Sequence, residues 1–233
     1  MRVKWKCLSG SALKVLAVLS MLTDHLAHFL WKDCTWAQMC LLQLGHRTVT
    51  PYFLMRAFGR LAFPIFAFLL VEGFGHTRSK KRYGLLLASF AVLSEIPWNL
   101  VHGGTWWHFP SQNVIFTLLL GFLGMLASEY FRDKDRFKEG LCLVGLLVAA
   151  FFLRADYGVT GYAFIMMLYF LRERFLYQAV VGSCFLTSRL FAGLAFIPLS
   201  MYNGRRGFIR GKAGKYFFYV FYPLHLLIIW LLM

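Results

Sequence analysis

Apolar residues dominate the chain in long blocks, broken by short basic or glycine-rich stretches. The blocks are 12–31, 59–74, 83–101, 113–131, 141–153, 157–171, 175–201 and 216–233. Apolar residues make up most of each block, and the first also carries a polar stripe that is expected to face the bundle interior. A membrane-crossing helix needs about 20 such residues, and most of these blocks come near that length. The first block carries Lys14, Asp24 and His25 and ends at no Ala-x-Ala site, so it predicts a retained helix rather than a signal peptide. Residues 32–55 are mixed and predict an interfacial segment. The pattern predicts an all-α, polytopic transmembrane helical bundle in one domain, residues 1–233, of eight or nine spans.

Charge chooses between eight and nine. The stretches 76–82 (HTRSKKR) and 132–139 (RDKDRFKE) are basic, whereas 102–112 has no Lys or Arg. The excess of Lys and Arg on cytoplasmic loops puts the N-terminus, 76–82, 132–139 and 172–174 in the cytoplasm. Eight spans would leave the basic loop 203–215 outside. Splitting 175–201 at Arg189 gives nine spans and returns that loop to the cytoplasm, so nine is preferred.

Composition strengthens the membrane reading. Hydrophobic residues make up 59% of the chain, aromatics 18% and charged residues only 15%, with a mean hydropathy of +0.60. A soluble domain carries about 25% charge, so a soluble enzyme or a disordered chain is a poor reading. Twenty-five Lys and Arg against ten Asp and Glu give +15. On so apolar a chain this charge reads as basic loops on an anionic membrane face and not as a nucleic-acid surface. Five cysteines without a CxxC pair give neither a disulfide framework nor a metal site.

Charges within membrane helices cost roughly 2.5–3.5 kcal/mol each and so need a reason. Lys14 and His25 are eleven positions apart, which on a helix is about 20° from one face and about 16 Å along the axis. Asp24 is adjacent to His25 and diverges from it by about 100°, so it reads as the partner of a Lys or Arg as readily as of the histidine. Glu72 and His76 form one i, i+4 pair; Glu95 and Asn99 form another around Pro97. These carboxylates read equally as ligand groups or as ion-pair partners of Arg56, Arg60 or Arg154. Asn113, Asp156 and Tyr222 are further polar positions beside or within the spans. His225 lies near mid-depth in the last span. The loop with Asn203, Arg205 and Arg206 is glycine-rich and basic. It suits phosphate and suits a lipid surface as well.

Seven segments together resemble the TraX family in order and across nearly the whole chain. They are Lys14–His25 (KVLAVLSMLTDH), Gly59–Gly73 (GRLAFPIFAFLLVEG), His76–Arg78, Ser94–Leu100 (SEIPWNL), Asp156–Gly158, Tyr202–Gly207 (YNGRRG) and Lys215–His225 (KYFFYVFYPLH). The resemblance implies an inner-membrane protein linked to conjugation that N-acetylates pilin. It also implies a distant kinship with integral-membrane acyltransferases that use acetyl-CoA. Those carry a basic residue, ten intervening residues and a histidine in an early helix, as in Lys14-x10-His25. Their recurrent Tyr-x-x-His has the form of Tyr222–His225.

The reading is therefore an acetyl-CoA-dependent N-acetyltransferase in the inner membrane, with a pilin-like protein as first acceptor and a small molecule or glycan as the alternative. His25 is expected as base or acyl carrier, His225 as a further catalytic candidate, and Asp24 or Glu95 as the orienting carboxylate. Lys14, Arg78, Asn203, Arg205 and Arg206 are expected at the CoA phosphates. Two rivals remain: a small proton- or ion-coupled transporter using Asp24, Glu72, Glu95 and His225, and a non-catalytic assembly factor for surface fibres.

Overall fold

A computed structural model describes residues 6–45, 47–107, 110–186, 191–209 and 211–233, with the backbone alone for Leu44, Arg47, Lys212 and Lys215. Among the described residues the fold is all-α apart from one two-stranded hairpin. In order, the elements are α1 (Gly10–His25), a π-helical turn (Leu26–Leu30), α2 (Thr35–Gln38), β1 (Leu42–Leu44), β2 (Arg47–Val49), α3 (Pro51–Gly59), α4 (Ala62–His76), α5 (Lys80–Gly103), α6 (Val114–Phe131), α7 (Arg136–Leu153), α8 (Gly158–Phe170) and α9 (Phe175–Phe185). A 3₁₀ turn (Ala192–Ala195), α10 (Phe196–Ser200) and α11 (Gly211–Leu232) complete it.

Four stretches among the described residues are long and apolar enough to cross a membrane: Gly10–Leu30, Pro51–His76, Lys80–Gly103 and Val114–Phe131. Gly158–Phe170, Phe175–Phe185 and Tyr216–Leu232 are apolar but shorter. At 1.5 Å per residue a 13-residue helix reaches only about 20 Å, against a hydrocarbon core of about 30 Å. In α5, Ala91 and Ser94 are buried while Val92 and Leu93 stay exposed. Apolar side chains left exposed on a helix long enough to cross a bilayer suit lipid rather than water. The chain is thus an all-α membrane protein.

The mixed segment 32–55 contains more structure than its composition announces. Leu42–Leu44 and Arg47–Val49 pair antiparallel, Gln43 opposite Thr48, and Gly45 takes φ +59° at the turn. Within the long block 175–201, α9 ends at Phe185, and the next element among the described residues is the turn at Ala192–Ala195. The expected split at Arg189 falls on 187–190, outside the described residues.

The chain divides into two compact units. The first holds Met1–Phe66 and Leu186–Met233. In it α1 packs on α3 and α11. Thr50 caps α3 by accepting from the Phe53 N–H, and Pro51, which has no N–H to lose, opens it. Ser20 Oγ of α1 donates to the Phe58 carbonyl at 2.7 Å. The second unit is Ala67–Phe185, where α6 lies among α5, α7 and α8. A Cβ on Gly121 would meet Ile165, and one on Gly124 would meet Met166 and Tyr162. These two glycines therefore set how closely α6 and α8 approach. In the charged connection after α6, Asp135 caps α7 by accepting from the Lys138 N–H at 3.1 Å. That bond, with the Lys138 ammonium beside it, holds the Asp135 carboxyl below its ordinary value.

Candidate active site

His25 stands where α1 gives way to the π turn. The Trp31 N–H reaches back five residues to the Leu26 carbonyl at 3.1 Å, the bond that defines a π turn. Such turns are rare and frequent at functional sites. His25 is half-buried. Across from it, His225 on α11 is buried, 4% exposed. His25 Nδ1 lies 2.7 Å from His225 Nε2, with the ring planes parallel to within 1°. His225 Nδ1 lies 2.8 Å from the Phe221 carbonyl oxygen. The Phe221 ring stacks on His225 at 5.0 Å, and the Tyr222 ring meets it edge-on at 5.6 Å. Two residues 200 positions apart in sequence form this pair.

Lys14 belongs to the same face. Its Nζ is 5.7 Å from the centroid of Phe218, also on α11. One helix thus meets both ends of the Lys14–His25 spacing, as the helical arithmetic requires. Asp24 forms a 2.6 Å ion pair with Arg56 of α3, and Arg56 also reaches the Asp24 carbonyl. The pair ties α3 to α1 one residue before His25. Arg56 entered the sequence reading only as a possible partner for glutamates; its partner here is Asp24. Arg60 is half-buried and caps the C-terminus of α3.

The basic loop is fastened to the start of α1 by its backbone. The Gly10 and Ser11 N–H groups donate to the carbonyls of Arg205 and Arg206, each at 2.8 Å. Ser11 Oγ donates to the Arg206 carbonyl at 2.8 Å and accepts from the Ile209 N–H at 2.9 Å. Leu8 bonds Met201 and Asn203. Gly207 has φ +91°, and a Cβ there would strike Ser9 and Ser11. Asn203 Oδ1 accepts from the Arg205 N–H at 2.9 Å and shapes the turn. Arg205 and Arg206 enter these bonds through their backbone groups, and their side chains stay exposed. The helix N-terminus is satisfied internally; the arginine heads are the groups that would meet an anion. Gly10, to which the loop is bonded, is about 22 Å from His25 along α1 at 1.5 Å per residue.

The remaining candidates belong to the second unit. Glu95 accepts at Oε2 from the Asn113 side chain. Asn113, fully buried, also donates to the Ala91 carbonyl at 2.8 Å and caps α6 through Ile115. Asn99 donates to the Trp106 carbonyl at 3.0 Å, so Glu95 and Asn99 share a face but hold different partners. Glu72 and His76 stand together at the end of α4, the imidazole bonded to the Glu72 carbonyl at 2.9 Å and largely exposed. Arg78 is exposed between α4 and α5. Asp156 precedes α8, and its N–H bonds the Gln112 carbonyl at 2.9 Å.

Sequence reasoning missed the backbone strap and the contact between the two histidines, and it offered Asp24 a Lys or Arg partner without naming Arg56. No local signal announces them, because each joins segments remote in the chain. Among the described residues no group of three or more His, Cys, Asp or Glu converges to hold a metal ion.

The profile of the family described as TraX protein matches residues 9–233. The chain belongs to the TraX family. A relative from Dichelobacter nodosus is 28% identical over 94% of this chain and 93% of its own length, and is described as a probable fimbrial assembly protein FimC, serogroup H1. An uncharacterized protein of Rickettsia prowazekii (strain Madrid E) is 25% identical over 82% of this chain and 68% of its own. No solved structure matches the chain.

Proposed function

We propose that this TraX-family protein is a membrane-embedded acyltransferase that moves an acetyl group from acetyl-CoA to an amine. The hydrogen-bonded His25–His225 pair carries the reading. A paired imidazole at the end of an apolar helix fits a proton acceptor for acyl transfer. It sits on the same helix face as a lysine and beyond a basic loop.

His25 removes the proton as the amine nitrogen attacks the thioester carbonyl carbon. The carbon–sulfur bond breaks, and the proton passes from His25 to the departing thiolate. Arg205, Arg206 and Lys14 hold phosphate charge at one end of α1. Asn203, which is uncharged, acts by shaping the loop that carries the two arginines. Asp24 serves by pairing with Arg56 and fixing α3 beside the histidine. Glu95 serves the second unit through Asn113. The acceptor amine is a pilin N-terminus, a choice favoured by the relative described as a fimbrial assembly protein. The protein lies in the inner membrane with eight or nine spans and a cytoplasmic N-terminus.

That relative's description also favours a second reading, a fibre assembly factor without catalysis. Purified protein supplied with labelled acetyl-CoA and a peptide bearing a free N-terminus separates the two. Transfer of label, lost in His25→Ala and in His25→Gln, is expected; a general base contributes 10²–10⁴ in rate. Glutamine keeps a hydrogen-bonding side chain and cannot take the proton. Absence of transfer with wild-type protein leaves the assembly reading, and an active His25→Gln removes His25 as the base.

A further inference from the structure

We propose that His225 is a positioning residue: it fixes the tautomer of His25 so that Nε2 of His25 is the nitrogen that takes the proton. The proposal rests on the acyltransferase reading for its chemistry and on the hydrogen-bond geometry for its direction.

The direction is set at Phe221. A carbonyl oxygen only accepts, so the 2.8 Å contact requires the hydrogen on Nδ1 of His225. A neutral imidazole carries one N–H. Nε2 of His225 is then the acceptor in the 2.7 Å contact, and Nδ1 of His25 is the donor. Neutral His25 has thereby spent its single N–H, and its Nε2 carries the lone pair. The reverse order needs a second proton on His225, a cation at 4% exposure inside an apolar helix, which is costly. The chain of donors therefore runs from His25 to His225 to the Phe221 carbonyl. The stacked Phe221 ring and the edge of Tyr222 hold the His225 plane.

The consequence for catalysis follows from the same bonds. When His25 acts, an amine N–H bond breaks and an Nε2–H bond forms on His25. His225 keeps its own hydrogen. The Nδ1–H···Nε2 bond becomes charge-assisted at that moment, and such bonds are roughly twice as strong as neutral ones. His225 never touches the reacting atoms.

Two substitutions that differ in reach test this. Glutamine at 225 brings an acceptor oxygen to the position of Nε2. Asparagine keeps an amide near Phe221 and falls short of His25. The full-length protein in lipid discs, labelled with ¹⁵N-histidine, reads the tautomer directly, the His25 signal being assigned by its loss in His25→Gln. Wild type and His225→Gln are expected to show hydrogen on Nδ1 of His25. His225→Asn is expected to shift His25 toward the Nε2–H form, with kcat lower by about 10²-fold and KM for acetyl-CoA unchanged. His225→Phe replaces the asparagine variant if that one fails to insert. An Nε2–H signal in wild type overturns the proposal, and so does a fall in kcat with an unshifted tautomer, which marks a merely structural residue. A correct tautomer shift in a protein that transfers no acetyl group overturns the acyltransferase reading and leaves the orienting bond standing.

Discussion

Gly59 and Asp24 share one volume. A Cβ on Gly59 would fall on the side-chain carbons of Asp24, so the carboxylate fits beside α3 only because residue 59 has no side chain. The same approach lets Ser20 reach the Phe58 and Gly59 carbonyls. Two helices are thus held together one residue before His25.

Gly59→Ala is expected to force α3 away from α1. Overpacking of this kind costs about 1–3 kcal/mol. Thermal unfolding in detergent should show the loss, and acetyl transfer should fall with it. Wild-type stability in Gly59→Ala would show that Asp24 has another rotamer within reach.

The Asp24–Arg56 pair is mostly buried, with side chains 17% and 20% exposed. Removing one partner leaves a charge with poor solvation. Asp24→Asn or Arg56→Gln alone is expected to cost about 2 kcal/mol, below the 3–5 kcal/mol of a fully buried pair. The double substitution should recover much of that loss. A double-mutant cycle measures it, and strict additivity would refute the coupling.

The loop 203–209 separates structural from binding roles. Ser11→Ala removes a hydroxyl that bonds both the Arg206 carbonyl and the Ile209 N–H. It is expected to lower stability by about 1–3 kcal/mol. Arg205→Ala with Arg206→Ala leaves every strap bond intact, because the two arginines contribute only backbone groups to them. It is expected to leave stability alone and to raise KM for acetyl-CoA, each lost charged contact being worth about 1.5–3 kcal/mol. An unchanged KM assigns the arginine heads to lipid.

Orientation has its own check. In a background lacking Cys7, Cys34, Cys40, Cys142 and Cys184, single cysteines replace Thr77 and Thr105. An impermeant thiol reagent applied to intact cells should label position 105 and spare position 77. The opposite pattern inverts the topology.

The sequence by itself determined the solvent and, through it, the class of fold. Long blocks dominated by apolar residues leave mainly lipid to face, and in lipid the backbone must satisfy itself within helices. It also placed Lys14 and His25 on one face, because that follows from helical pitch alone. Local pattern determined α5 and α6 nearly to their ends; their caps, Ser79 and Asn113, come from the structure. It did not determine the hairpin at Leu42–Val49, where side chains on a mixed interfacial segment give no strong period. The histidine pair, the Asp24–Arg56 bond and the strap from Arg205 and Arg206 to Gly10 and Ser11 were decided only by tertiary structure. Each depends on which helices become neighbours, and neighbours 32 to 200 positions apart leave no mark on local periodicity. Gly59 and Gly207 record those contacts, but a missing Cβ says that something comes close without naming what does.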